Sequence, residues 1–107
     1  MPVYTLSRFE IRPEARKEAE EAMHDFASYV RKELDLTTWT VYRDGDEPGR
    51  YIAMIRDETP AAGERRKKAE GTRAFEAALA GFTAGKVDAM RCELVTSSDL
   101  QRRHRGR

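Results

Sequence analysis

The chain has 107 residues, of which 20 are Lys or Arg and 19 are Asp or Glu, so its net charge is close to zero. This length fits one domain with a core of modest size. The charge balance argues against a body that binds nucleic acid over its whole surface, and the hydrophobic content of 39% argues against global disorder.

The first predicted elements are a strand over residues 3–11 and a helix over residues 13–34. Pro13 fits the first position of the helix, where its missing N–H is not needed. The apolar residues of the helix repeat every three to four positions around Phe26, so the helix has one apolar side and one charged side. The strand alternates between one face with Val3, Thr5, Ser7, Phe9 and Ile11 and another with Tyr4, Leu6, Arg8 and Glu10.

A predicted hairpin follows, with strands over residues 36–43 and 50–57. The first strand is rich in β-branched and aromatic residues, and the segment 44–49 between them has the composition of a turn. Residues 51–55 are apolar at every position, which is typical of a strand covered on both faces.

A second helical region is predicted from Thr59 and Pro60 onward, with a basic run at residues 65–68 and Gly71 as a break. Beyond Gly71, apolar residues again follow helical spacing. The last predicted strand spans residues 86–96, and residues 98–107 form a basic tail that we expect to be disordered. The strand has Met90, Cys92 and Leu94 on one face and Val87, Ala89, Arg91, Glu93 and Val95 on the other.

The order of elements predicts an α+β fold of the ferredoxin-like type, β-α-β-β-α-β, over residues 1–97. Both helices would cover one face of a four-stranded antiparallel sheet and leave the other bare. That bare face should carry apolar residues, which marks an association surface. We therefore expect a two-fold homodimer, a dimeric α+β barrel, with an interface of roughly 2,000 Å² or more. The expected contributors are Tyr4, Leu6, Val87, Ala89 and Val95.

Residues 9–14, 46–54 and 75–79 together resemble the domains of antibiotic biosynthesis monooxygenases. The resemblance covers about residues 2–97 and implies a dimeric α+β barrel. Known activities of the family include cofactor-free oxygenation of quinols and polyphenols, haem degradation, and isomerisation of small phosphorylated sugars, and many members have no known activity.

The chain departs from this family at three places. Oxygenases of the family usually have a tryptophan near the end of the third strand, where this chain has Ile55, Arg56 and Asp57. Many members have a histidine in the second helical region, where this chain has the basic run 65–68. Haem-degrading members use an asparagine on the first strand, and this chain contains none. Haem degradation is therefore not expected, and any catalysis would need different residues.

Three charged residues are the catalytic candidates, because we expect them on the helix-free side of the sheet. A charge there is either paired across the interface or part of a pocket. In the pocket, Glu93 would act as the base, and Arg8 or Arg91 would stabilise an anionic oxygen. Aromatic residues on the strands are either core residues or the walls that hold a substrate ring. The candidates for ring binding are Tyr4, Trp39 and Tyr51.

We predict no metal, because the pair of Glu20 and His24 lacks further ligands. The resemblance to cofactor-free oxygenases implies no cofactor. The favoured function is a cofactor-independent monooxygenase of small aromatic or quinol-type substrates. The alternative is a non-enzymatic dimeric protein that binds a small ligand or acts as a scaffold. No apolar run is long enough for a membrane, and the single Cys92 fits a reducing cytoplasm. The tail could dock on nucleic acid, but we expect it only to aid solubility.

Overall fold

Four strands form one antiparallel sheet in the computed structural model of the chain, which describes residues 1–100. Their order across the sheet is β2-β3-β1-β4, and the predicted ferredoxin-like α+β fold is confirmed. Residues 98–100 form a helical turn, whereas residues 101–107 of the predicted tail lie outside the described part. The strands are β1 (Val3–Glu10), β2 (Thr37–Arg43), β3 (Arg50–Asp57) and β4 (Asp88–Cys92).

The first helix, α1 (Arg16–Glu33), follows a 3-10 turn at Pro13–Ala15 and covers one face of the sheet. Its buried residues fall three or four positions apart, as the apolar stripe predicted. They pack against the side chains of the sheet that face the helices, including Phe9 and Ala53. The buried residues of α1 are Ala19, Met23, Phe26 and Val30.

The second helical region is two helices, α2 (Pro60–Lys68) and α3 (Glu70–Phe82). Thr59 caps α2, because its Oγ1 accepts a hydrogen bond of 3.1 Å from the backbone N–H of Ala62. The two helices are separated at Ala69, where the backbone is extended, with a ψ of 141°. Gly71, the predicted break, lies inside α3 instead, so that prediction is wrong.

Gly71 has a packing role, because a Cβ atom there would lie 2.5 Å from the ring of Tyr29 on α1. We expect Gly71→Ala to lower the melting temperature, since overpacking costs about 1–3 kcal/mol and exceeds the roughly 1 kcal/mol gained in helix propensity. Gly81→Ala is the matched control, because nothing lies within 4 Å of its Cβ position. That variant should melt at a higher temperature than the native protein. Equal increases for both variants would contradict this role of Gly71.

The faces of β4 are the reverse of those predicted. Its register with β1 pairs Ala89 with Ser7 and Arg91 with Thr5, which are on the helix-covered face. Met90 and Cys92 pair with Leu6 and Tyr4 on the helix-free face. The predicted placement of Val87, Ala89 and Arg91 on the helix-free side is therefore wrong. Apolar residues occur at both sets of alternate positions in β4, so only the strand register decides its faces.

After this correction the helix-free face of the sheet still carries a group of apolar residues, with charged side chains such as Arg8, Arg56 and Asp88 at other positions. Tyr42 and Met90 on this face are 56% and 48% exposed. Glu93 and Val95 follow the end of β4 and are exposed. Within residues 1–100, no helix has the length and apolar character needed to cross a bilayer. The apolar residues of the helix-free face are Tyr4, Leu6, Tyr42, Ile52, Met54, Met90 and Cys92.

Candidate functional site

A cleft of about 490 Å³ lies between the helix-covered face of the sheet and α3. Its volume is within the range of about 300–1,000 Å³ that is usual for small-molecule sites. Most of its wall is apolar, and four elements contribute aromatic rings to it. We call it the aromatic cleft, and its main apolar lining consists of Phe9, Phe26, Trp39, Ile55, Phe75 and Leu79.

Three aromatic rings from three elements form one wall of the aromatic cleft. Phe26 of α1 and Phe75 of α3 stack with their ring centroids 4.4 Å apart and their planes almost parallel. Trp39 of β2 presents its ring edge-on to both, at centroid distances of 5.1 and 5.5 Å. These offset and edge-to-face contacts are favourable arrangements for aromatic rings. The wall offers flat apolar surfaces, and it includes Trp39, one of the three predicted ring-binding residues, on the helix-covered face.

One member of a buried ion pair, Arg66, lines the cleft, and its partner Asp57 lies behind it in the adjoining depression. Asp57, the last residue of β3, is 1% exposed. Its carboxylate accepts bonds of 3.1 and 3.3 Å from Arg66 Nε and of 3.1 Å from Arg66 Nη2. Thr37 Oγ1 donates a further bond of 2.7 Å to Asp57 Oδ1. A Cβ atom at Gly63 would lie 3.2 Å from Asp57 Oδ2, so glycine allows α2 to approach the pair closely.

Two polar residues of α3 also line the cleft. Thr72 is 3% exposed, and its Oγ1 has no hydrogen-bond partner among the described residues. Glu76, one helical turn later, is exposed and lines the same cleft. Residues four apart lie on one face of a helix, so Thr72 and Glu76 share a face with the apolar residues of α3. Sequence reasoning missed both, although their spacing from Phe75 and Leu79 could have revealed them.

Comparison with known proteins identifies the fold. No family model matches the chain, and no curated protein matches it either. Solved structures do match: a candidate antibiotic biosynthesis monooxygenase from Caulobacter crescentus has a TM-score of 0.83 at 18% identity, over 89% of this chain and 91% of that one. This chain has the antibiotic biosynthesis monooxygenase fold.

Two other structures share this monooxygenase fold over nearly their whole lengths. SnoaB, a cofactor-independent oxygenase from Streptomyces nogalater, has a TM-score of 0.78 at 18% identity and covers 90% of this chain and 95% of its own. Rv0793 from Mycobacterium tuberculosis has a TM-score of 0.81 at 17% identity, with coverages of 91% and 98%. At these identities the likeness is one of fold.

The monooxygenase fold of this chain does not bring the three predicted catalytic residues together. Arg8 lies on the helix-free face opposite Asp88, whereas Arg91 lies on the helix-covered face opposite Thr5. Arg91 lines a depression of about 610 Å³ that adjoins the aromatic cleft. Glu93 follows the end of β4 and is exposed. The prediction that all three share the helix-free face is wrong, because the β4 register inverts the expected face of Arg91.

The three predicted ring-binding residues are also separated. Tyr4 lies on the helix-free face, opposite Arg56. Tyr51 lies on the other face and is 3% exposed. Its ring stacks on Phe9, and its hydroxyl faces a second groove, of about 370 Å³, beside α1. Only Trp39 of the three therefore lines the aromatic cleft.

Glu20 of α1 lines this second groove and joins two other lining residues, Arg43 and Tyr51, by hydrogen bonds. Its carboxylate accepts bonds of 2.7 and 3.0 Å from the Arg43 guanidinium and one of 2.6 Å from the Tyr51 hydroxyl. These bonds, that from Arg43 first, lower the pKa of Glu20. Burial, followed by the bond to Glu20, raises the pKa of Tyr51. His24 also lines the groove, but the described residues contain no group of side chains suited to a metal ion.

The lowered pKa of Glu20 predicts an acid-sensitive contribution to stability. A carboxyl whose pKa is lower in the folded state stabilises the protein fully above its unfolded value, near 4.5. That stabilisation disappears as the pH falls through the lower folded value. Glu20→Gln should therefore melt a few degrees below the native protein at neutral pH and approach it in acid. Glu21→Gln, at an exposed neighbour, is the control, and a constant gap at all pH values would contradict this role of Glu20.

Proposed function

We propose that the chain is a cofactor-independent monooxygenase that acts on small aromatic or quinol-type substrates. The observation that carries the proposal is the aromatic cleft, which combines a wall of rings with a carboxylate and a buried guanidinium. The shared fold with SnoaB, a cofactor-independent oxygenase, supports the same activity class.

In the proposed reaction, the protein needs only to bind the substrate and to accept a proton from it. Trp39, Phe26 and Phe75 would hold the ring of the substrate and exclude water from it. Glu76 would accept the proton of a phenolic hydroxyl as the general base. The resulting anion would pass one electron to O₂, and the superoxide would combine with the substrate radical in a new C–O bond at the oxidised carbon. The peroxide formed in this way would lose water as the carbonyl forms. When a methylene carbon between aromatic rings is oxidised to a carbonyl, one oxygen atom enters the product and the other leaves as water.

Oxygen uptake with a panel of anthrones and naphthohydroquinones tests this proposal. The native protein should consume oxygen faster than the buffer blank, in which these compounds oxidise spontaneously. Glu76→Gln should lower the turnover rate by about 100-fold, since that is the lower range of general base catalysis. Glu70→Gln is the control on the same helix, because Glu70 is exposed and lies outside the lining of the cleft. Uptake at the blank rate by folded native protein would overturn the proposal.

The non-enzymatic alternative has one observation in its favour. The buried charge of Arg66 is already compensated by Asp57, which is typical of a structural pair. A small-ligand-binding or scaffold protein would bind aromatic compounds in the cleft and consume no oxygen.

We also propose that the active form is a homodimer in which two sheets pack through their helix-free faces, giving a dimeric α+β barrel. The exposed side chains of Tyr42 and Met90 and the apolar residues around them support this arrangement. A cytoplasmic location, expected from the single cysteine, stays a prediction.

A further inference from the structure

Two buried polar side chains of the aromatic cleft have hydrogen-bonding capacity that the described part of the chain does not use. Arg66 is 8% exposed and binds Asp57 through Nε and Nη2, which leaves Nη1 out of these bonds. Thr72 is 3% exposed, and its Oγ1 has no partner. Both residues line the cleft. A buried hydroxyl without a partner is costly, so a ligand atom that binds it would add to affinity.

We propose that Arg66 Nη1 and Thr72 Oγ1 form an oxyanion subsite, and that the cleft selects aromatic ligands that carry a carboxylate or an ionised phenol. The inference rests on the proposed function only in that an aromatic ring occupies the cleft. It adds the chemical class of the substituent and the residues that recognise it.

The Asp57 carboxylate holds the Arg66 guanidinium in a fixed orientation before an anion binds. Three hydrogen bonds between the two side chains fix the plane of the guanidinium, so an incoming anion does not have to order a flexible side chain. A guanidinium can serve two acceptors at once, because its five N–H donors point along different edges. Hydrogen bonds from a charged donor to an anion are roughly twice as strong as neutral ones.

The other charges around the cleft do not favour a cation instead. Glu76 lines the cleft but is exposed, and the exposed side chains of Glu64, Lys67 and Arg91 line the adjoining depression. These two acidic and two basic side chains balance in charge, and water screens exposed groups. The buried acceptor, Asp57, already accepts from Arg66 and Thr37. The buried groups left for a ligand are therefore a guanidinium, which only donates, and a hydroxyl, which can donate.

Calorimetric titration of the full chain tests the subsite with matched naphthalene compounds at about pH 7. Naphthoate and an acidic nitronaphthol are anions there, and naphthamide is a neutral compound of nearly the same shape. The anions should bind at least about tenfold more tightly than naphthamide. A preference for naphthoate alone would assign the natural ligand as a carboxylate, and a preference for the nitronaphthol alone would assign a phenolate.

Substitutions then test the two residues. Arg66→Gln should abolish the preference for anions, and Thr72→Val should reduce it several-fold while Thr72→Ser retains it. Arg73→Gln, at an exposed position of α3, is the control and should bind like the native protein. Arg66→Gln leaves Asp57 unpaired and risks unfolding, so circular dichroism checks the folding of each variant. If Arg66→Gln does not fold, the comparison of Thr72→Val with Thr72→Ser still tests the subsite.

The possible failures separate the two proposals. Equal binding of naphthamide and of both anions, or an unchanged preference for anions in folded Thr72→Val, would overturn the oxyanion subsite alone. A preserved preference for anions without oxygen uptake would support the subsite and overturn the monooxygenase. Absence of binding by every naphthalene together with oxygen uptake at the blank rate would overturn both.

Discussion

Asp57→Ala should lower the free energy of unfolding by about 3–5 kcal/mol, the usual cost of breaking a buried ion pair. The carboxylate is 1% exposed and accepts bonds from Arg66 and Thr37. Its removal leaves a guanidinium buried without a counter-charge and a hydroxyl without its acceptor. Because the pair joins the end of β3 to α2, the variant should also loosen α2. Urea unfolding followed by circular dichroism measures the loss.

Two further variants sharpen this test. Asp35→Ala removes an exposed partner of Arg65 at 3.8 Å and should cost less than about 1 kcal/mol. The double variant Asp57→Leu with Arg66→Met replaces both charges by apolar groups and should recover much of the stability. It should nevertheless lose the preference for anionic ligands. Similar losses for Asp57→Ala and Asp35→Ala would show that the buried pair does not anchor α2.

The sequence predicts best those elements in which polarity alternates sharply. In β1, Phe9 and Ile11 alternate with Arg8 and Glu10, and the predicted faces match the observed ones. The apolar stripe of α1 succeeds for the same reason, because burial of its apolar positions determines which side faces the sheet. β4 carries no such contrast, so its faces depend on pairing with β1, a contact distant along the chain.

The candidate site was harder to predict because its polar members depend on distant partners. Arg66 stands in a basic run that is typical of a solvated helix face, and it becomes buried only because Asp57 on β3 lies against α2. The sequence predicts Tyr51 as a ring-binding residue. In the structure its hydroxyl instead donates a hydrogen bond to Glu20, which lies 31 positions earlier in the chain. Trp39 lines the cleft, and it became a ring-binding candidate because it is an aromatic residue within a β-branched strand; that role stays a prediction.

Met54→Glu should convert the proposed dimer into single subunits. Met54 lies opposite Leu6 on one side and Thr40 on the other, near the middle of the helix-free face. Two-fold symmetry would place two such charges in one dry interface, and juxtaposed like charges cost several kcal/mol. The dimer dissociation constant should therefore rise by at least about 1,000-fold. Analytical ultracentrifugation at low micromolar concentration measures the change.

Ala77→Glu is the control, since Ala77 is exposed on α3, away from the helix-free face. It should sediment like the native protein. The aromatic cleft lies on the opposite side of the sheet and is built from one chain, so the Met54→Glu subunit should keep its circular dichroism spectrum and still bind naphthoate. A native chain that sediments as one subunit at every concentration would contradict the dimer, while ligand binding that survives dissociation would place recognition within each subunit.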